Sequence, residues 1–328
     1  MWRSTARPDF VNGNMTLLVA ITGWDPAPWL DRFRRLLPDR PVVAVDEPFD
    51  PDTIRYAASW KHRPGTLSGL PRLEAIFSLG AGVDHLVGDA GLPDVPVLRV
   101  VDQDLTERMS EYVVMHCLMH LRRGWLYDER QRQGLWRDER DQPAARDVRV
   151  GIMGLGVLGQ DAARKLAVMG FDVAGWSRSP RSLDGIATFA GDEGLRSFLA
   201  RTDILVVLLP LTPATRGLLN AALFGGLARD GRLGGPVLIN AGRGGLQVEA
   251  DILQALEDGS LKAATLDVFE TEPLPAASPL WSHPAVRITP HNAAMSDPDA
   301  VAAAVVSQIR RHEAGEPFRH AVDLRTGY

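Results

Sequence analysis

The feature that most restricts the fold is a turn of glycines, Gly154-Leu155-Gly156-Val157-Leu158-Gly159. It directly follows Asp147 to Met153, an apolar run containing one Arg, and opens an amphipathic stretch from Val157 to Met169. A second apolar run, Phe171 to Trp176, comes next. The order is strand, turn, helix, strand. A bare G-x-G-x-x-G is a weak signal because many matches are surface turns, but this context gives each glycine a task. Gly154 allows the tight turn, Gly156 lets backbone approach a pyrophosphate, and Gly159 permits close packing of helix on strand. The free N–H groups of the helix N-terminus, on Val157, Leu158 and Gly159, then face the phosphates. The segment implies dinucleotide binding.

An acidic residue at the end of the second strand, about 20 positions past the glycines, would hold the ribose 2′-hydroxyl of NAD. This strand instead ends Trp176-Ser177-Arg178-Ser179, with Arg181 just beyond. A carboxylate there would repel a 2′-phosphate, whereas Ser177, Arg178 and Arg181 offer it charge-assisted hydrogen bonds. The expectation is a preference for NADP(H), with NAD(H) as the second option. The plain alternative is that both arginines are solvated loop residues.

A chain of 328 residues is too long for one ordinary core and suits two domains with a cleft. The net charge of −5 comes without any Lys/Arg block, which argues against a nucleic-acid partner. Cys117 is the single cysteine, so an intrachain disulfide and a cysteine metal cluster are excluded; it reads as a small buried hydrophobe, and no metal is expected. The longest early apolar run, Leu17 to Ile21, is far short of the ~20 residues that span a bilayer. Residues 1–15 read as a disordered extension or a misassigned start, without the apolar segment of a secretory signal. A cytoplasmic location is expected.

From Leu17 to Val101, β-like runs at Leu17 to Ile21, Val42 to Val45, Glu74 to Ser78 and Val97 to Val101 alternate with turns and a helical stretch near Trp29 to Leu37. These read as a small α/β domain. A long helix is expected from Thr106, as its N-cap, to Arg123, with Gly124 as its stop. Beyond the glycine turn, apolar runs at Ile204 to Leu209, Val237 to Asn240, Ala263 to Leu266 and Val286 to Thr289 predict a doubly wound parallel sheet. A last helix, Asp297 to Glu313, is expected to return to the first domain.

Three of these runs are followed at once by polar residues: Asn240-Ala241-Gly242-Arg243-Gly244, Asp267-Val268-Phe269-Glu270-Thr271-Glu272-Pro273, and Thr289-Pro290-His291-Asn292. The carboxyl ends of strands in an open α/β sheet face the ligand crevice, so the three segments are expected to meet there. Reduction of a 2-oxo acid needs a cation for the substrate carboxylate and carbonyl, a hydride donor, and an acid for the developing alkoxide. Arg243 and His291 suit the first and last needs, and Glu272 suits stabilisation of the His291 imidazolium. Singly, each has a plain reading as a surface turn, a solvated charge or a helix cap.

Here the sequence resembles the D-isomer-specific 2-hydroxyacid dehydrogenase family, and within it the glyoxylate/hydroxypyruvate reductase A branch. The family pattern Asn-Ala-x-Arg-Gly, Asp-Val-Phe-x-x-Glu-Pro-Leu, Thr-Pro-His stands as Asn240 to Gly244, Asp267 to Leu274, and Thr289 to His291. Arg243 and Glu272 are 29 residues apart, and Glu272 and His291 are 19 apart, which also suits it. The likeness runs from Leu17 to Tyr328.

The resemblance implies a Rossmann-type dinucleotide domain over 119–295, and a flavodoxin-like substrate domain over 16–118 and 296–328, with the active site in the cleft. It implies NADPH-driven reduction of glyoxylate to glycolate and of hydroxypyruvate to D-glycerate, by a homodimer. Ser78 to Asp84 matches the family's substrate loop, which makes Ala81, Gly82 and Val83 substrate-binding residues through their backbone. Trp60 matches a tryptophan that lines the pocket, its plain reading being core packing. Trp136 matches a position directed at the partner subunit, and the stretch from Gly124 to Asp141 is a candidate contact. Leu209, Pro210, Thr215, Ala241 and Asp267 match positions lining the nicotinamide side. Asn292 and Ser296 depart from the family's usual choices, which leaves substrate preference within the branch open. Rivals are a phosphite or other dehydrogenase of this fold and a dinucleotide-sensing regulator without turnover. Formate specialisation is disfavoured by Glu272, where Gln is expected.

Overall fold

Strands buried on both faces need near-continuous apolar sequence, and Thr16–Ile21 is of that kind, with every residue buried. It opens the first of two units in a computed structural model that describes residues 15–80, 82–87 and 89–322. This unit comprises residues 1–102 and 296–328, the second unit Gln103–Met295.

In the first unit β1 (Thr16–Ile21) is followed by α1 (Ala27–Leu36), β2 (Val42–Ala44), β3 (Ile54–Trp60), β4 (Ala75–Ser78), the single turn α2 (Asp84–Val87) and β5 (Val97–Leu98). Proline in the first turn presets α1, and its Trp29, Leu30 and Phe33 are buried. The sheet order is β2-β1-β3-β4-β5 with every pairing parallel, a flavodoxin-like order. β3 was not expected from the sequence. Its Ala57, Ala58 and Ser59 are weak strand formers, and they extend because the strand lies between β1 and β4, where burial decides.

In the second unit the chain forms α3 (Gln103–Leu121), α4 (Gly124–Arg132), β6 (Arg149–Met153), α5 (Val157–Val168), β7 (Asp172–Ser177), β8 (Ala187–Ala190), α6 (Gly191–Ala200), β9 (Ile204–Val207), α7 (Ala221–Gly225), β10 (Val237–Asn240), α8 (Glu249–Glu257), β11 (Ala263–Leu266) and β12 (Val286–Ile288). The sheet is parallel, in the order β12-β11-β10-β9-β6-β7-β8. The connection order reverses between β6 and β9, the switch point of a doubly wound sheet. Alternate strand residues feed opposite cores: Val150, Ile152, Val206 and Ile239 pack with α3 and α5, while Met153, Leu205, Val207 and Leu238 pack with α6, α7 and α8. The final helix, α9 (Pro298–Glu313), belongs to the first unit and packs on α1, with Asp297 as its N-cap and an Arg35 to Asp299 bond of 2.8 Å.

Two boundary expectations need correction. Thr106 does not cap α3, which starts at Gln103 and buries Thr106 within it. Gly124 is not a stop: α3 ends at Leu121, Arg123 takes the left-handed turn at φ 54°, and Gly124 opens α4. Arg123 is held there by bonds to Glu139 (2.9 Å) and the Asp141 carbonyl (2.8 Å). Met109, Val113, Cys117 and Leu121 of α3 are built into the core of the second unit, which begins at Gln103. Cys117 is fully buried, and burial pushes its thiol up.

α3 also carries two buried histidines. His116 is 2% exposed, and neither ring nitrogen finds a hydrogen-bond partner among the described residues. Burial lowers it to about 4. His120, whose Nε2 lies 2.9 Å from Thr265 Oγ1, is lowered by burial to about 3. Once unfolded, each protonates near about 6.5. Protons are therefore taken up on unfolding, so stability is unaffected above that pH and lost as pH falls toward 4. Urea unfolding of His116→Gln should show the loss between pH 7 and pH 4 reduced by about 3 kcal/mol. An unchanged slope would show that His116 does not carry this term.

Candidate active site

Strand register gathers the expected site residues. Trp176, Met153, Val207, Asn240, Leu266 and Ile288 are successive partners across six neighbouring parallel strands, one row of the sheet. Ser177, Gly154, Ala241, Asp267 and Thr289 each follow this row by one position, Leu209 by two, and Arg243 and His291 by three. All leave the sheet at its carboxyl edge.

At the glycine turn, Gly154 adopts φ 111°, and its N–H donates to the Trp176 carbonyl at 2.9 Å. A Cβ on Gly159 would stand 1.8 Å from the Gly154 carbonyl oxygen, so close packing of α5 forbids any side chain there. A Cβ on Gly156 would meet nothing within 4 Å. Protein packing therefore does not account for that glycine. No side chain caps the N-terminus of α5, whose first turn is Val157, Leu158 and Gly159. At the end of β7 the buried Ser177 hydroxyl donates to the Ser179 carbonyl at 2.8 Å, and Arg178 and Arg181 beyond it are exposed. Open backbone, an uncapped helix and two exposed guanidinium groups fit a phosphorylated dinucleotide. Leu209 and Pro210 follow β9, and the Thr215 hydroxyl closes their loop by donating to the Pro210 carbonyl at 2.8 Å. The Ala241 N–H donates to the Val207 carbonyl at 3.2 Å, fixing the start of the next loop.

Arg243 stands on a loop built from inside. The fully buried Asn240 donates from Nδ2 to Gln247 Oε1 (2.8 Å) and to the Arg243 carbonyl (3.2 Å), and its Oδ1 accepts the Gly242 N–H (3.1 Å). Gln247, also buried, donates to the Val268 carbonyl at 3.0 Å, which ties the Arg243 loop to the segment carrying Glu272. A Cβ on Gly244 would lie 1.9 Å from the Phe269 backbone, so the two segments approach as closely as glycine allows. The half-buried Arg243 donates to the Gly242 carbonyl at 2.8 Å.

Glu272 and His291 form a pair. His291 Nδ1 lies 2.7 Å from Glu272 Oε2, and the other carboxylate oxygen accepts the Phe269 N–H at 3.0 Å. A carboxylate can only accept, so Nδ1 carries its proton and Nε2 is the nitrogen left to exchange one. The His291 side chain is 47% exposed. Asp267, expected on the cofactor side, turns its carboxylate inward: it is 1% exposed and accepts the N–H groups of Asn292 (2.9 Å) and Ala293 (3.0 Å). It acts on the site through the backbone it holds.

Trp60, Gly82 and Val83 belong to the first unit, and Ala81, like residues 1–14, lies outside the described residues. Trp60 ends β3 with its ring stacked on Trp24 at 4.4 Å and tilted against His85 at 4.9 Å. The buried Ser78 hydroxyl donates to the Gly82 carbonyl at 2.8 Å, and Val83 is buried. The sequence did not single out Gln247 or Ser78 as organisers of these loops. Asn240 was visible only as the first letter of its motif.

The family described as D-isomer specific 2-hydroxyacid dehydrogenase, NAD binding domain, matches residues 114–293. Glyoxylate/hydroxypyruvate reductase A of Serratia proteamaculans is 42% identical over 306 residues, 92% of this chain and 96% of that protein. Among solved structures, the NADPH-dependent glyoxylate/hydroxypyruvate reductase of Sinorhizobium meliloti, in complex with NADP and sulfate, is 51% identical with a TM-score of 0.90, covering 96% of this chain and 100% of that one. A probable 2-hydroxyacid dehydrogenase of Rhizobium etli, in complex with NADP, HEPES and tartaric acid, has 47% identity and a TM-score of 0.92 over the same shares. With its glycine turn, its arginine loop and its histidine–carboxylate pair on one sheet edge, the chain belongs to the D-isomer-specific 2-hydroxyacid dehydrogenase family.

Proposed function

We propose that this protein reduces small 2-oxo acids, glyoxylate to glycolate and hydroxypyruvate to D-glycerate, with NADPH preferred over NADH. The observation that carries the reading is the 2.7 Å contact of His291 Nδ1 with Glu272, on the strand edge that also bears Arg243. The glycine turn with Val157 and Leu158 holds the pyrophosphate. Ser177, Arg178 and Arg181 hold the 2′-phosphate, and Leu209, Pro210, Thr215 and Ala241 line the nicotinamide side. When bound, the dinucleotide supplies the hydride that reduces the substrate carbonyl.

Arg243 binds and polarises the substrate. His291 gives the proton on Nε2 to the carbonyl oxygen as negative charge develops there, and Glu272 stabilises the imidazolium. Support for the cofactor comes from relatives crystallised with NADP or NADPH. Support for the substrates comes from curated relatives named glyoxylate/hydroxypyruvate reductase A. The homodimer and the cytoplasmic location belong to the same proposal. Full exposure of Trp136, beside the half-exposed Leu135, supports the first of these.

A panel of glyoxylate, hydroxypyruvate, other short 2-oxo acids and phosphite, assayed with both cofactors, tests the reading. Turnover of glyoxylate and hydroxypyruvate with NADPH is expected, and no oxidation of NADPH by any 2-oxo acid would favour the regulator. In the double variant Arg178→Ala/Arg181→Ala, KM for NADPH should rise about tenfold to a hundredfold while KM for NADH changes little. Parallel changes for both cofactors would remove these arginines from phosphate recognition.

His291→Ala should lower kcat about a hundredfold or more, with NADPH affinity retained. Arg243→Ala should act mainly on substrate, raising its KM about tenfold or more. Near-normal turnover of the His291 variant would overturn its role as proton donor.

A further inference from the structure

Tyr112 belongs to none of the motifs that mark the site. It lies on α3, 7% exposed, in the core that includes Met109, Val113 and Cys117. A phenylalanine would fill that space equally well. The hydroxyl, however, lies 2.8 Å from Thr289 Oγ1, and Thr289 Oγ1 lies 2.6 Å from Asp267 Oδ1. The carboxylate has no proton to give, so Thr289 donates to it, and the threonine oxygen is left to accept from Tyr112. Burial pushes the phenol up, which keeps that proton in place at ordinary pH. The bonds form a directed chain from Tyr112 through Thr289 to Asp267.

The far end of the chain is the backbone of the proton donor. Asp267 takes the N–H groups of three consecutive residues: His291 on its carbonyl oxygen at 2.8 Å, then Asn292 and Ala293 on its two carboxylate oxygens. Within this grip His291 holds φ 53°, a left-handed conformation that a residue with a side chain keeps only when its surroundings impose it. Glu272 restrains the ring from the other side. A carboxylate free to rotate about χ2 could not hold two successive N–H groups on separate oxygens, and the threonine hydroxyl removes that freedom.

We propose that Tyr112 is a positioning residue for His291, acting through the Thr289 hydroxyl and the Asp267 carboxylate. The inference rests on the reading of His291 as proton donor. The rival account is that the phenol only satisfies its own buried hydroxyl.

The test compares wild type, Tyr112→Phe, Thr289→Val, their double variant and Thr289→Ser. It measures amide hydrogen exchange at His291 to Ala293, kcat with glyoxylate, KM for NADPH, and Tm. In Tyr112→Phe, exchange at these amides should quicken and kcat should fall, each by about threefold to tenfold, as for loss of one hydrogen bond. KM for NADPH should stay within about twofold, because the cofactor turn lies elsewhere in the sheet. The double variant should be no slower than Thr289→Val, since both changes act on one carboxylate. Thr289→Ser, which restores the hydroxyl, should recover most of the loss.

Unchanged exchange, or faster exchange with kcat retained, would overturn the proposal, and so would additive losses in the double variant. Should wild type turn over no 2-oxo acid, the functional reading falls, and the exchange data alone decide whether Tyr112 steadies the His291 backbone.

Discussion

Everything at the site depends on the in-register row that crosses the second sheet from Trp176 to Ile288. In a parallel sheet all strands run the same way, so residues just past one row leave together at one edge. That single constraint turns six separate sequence segments into one constellation. It also explains the glycines: loops leaving adjacent strands about 4.8 Å apart must pass one another closely. Gly154 faces the Leu208 backbone after the neighbouring β9, and Gly244 faces the Phe269 backbone, at distances that no Cβ would survive.

The row brings loops together, but buried polar side chains decide their shape. Asn240 and Gln247 satisfy backbone groups that would otherwise be stranded at the mouth of the sheet, and they join the Arg243 loop to the Glu272 segment. Asp267 does the same for residues 291–293. Asp267 and Glu272, both after β11, thus have different work, set by exposure. Asp267 is buried and spends its oxygens on the backbone, whereas Glu272, whose side chain is 31% exposed, turns one oxygen to the His291 ring. Leaving a buried carboxylate unpaired costs several kcal/mol, so the inward orientation of Asp267 requires these bonds.

The parts of this arrangement that follow a local rule were legible in the sequence. The spans of β10 and β11 coincide with the runs Val237 to Asn240 and Ala263 to Leu266, because a strand buried on both faces has a continuous apolar signature. The glycine turn and the polar residues after each strand were legible for the same reason. The hidden parts depend on neighbours. β3 extends through Ala57, Ala58 and Ser59 only because two strands flank it, and β8 is a short, half-buried edge. The inward turn of Asp267 is set by the N–H groups of residues 25 and 26 positions away, which no local pattern reveals.

α3 shows why such features escape a reading of periodicity. Met109, Val113, Cys117 and Leu121 repeat every four residues and enter the core, and this stripe alone marks the segment as an ordinary buried helix. A second stripe with the same spacing, Tyr112, His116 and His120, lies beside it. Tyr112 meets Thr289 and His120 meets Thr265, both from the last two strands of the row. His116 is tilted against the Tyr112 ring at 4.3 Å and stacked on Trp125 at 6.1 Å, without a hydrogen bond among the described residues. An unsatisfied buried polar group costs about 1–3 kcal/mol, whereas each large apolar side chain of the first stripe contributes about 1.5–3 kcal/mol on burial. The apolar stripe therefore outweighs the cost and fixes the helix in place. Once it is fixed, the second stripe can present polar groups to β11 and to the residue that follows β12, at a depth where their hydrogen bonds are shielded from water.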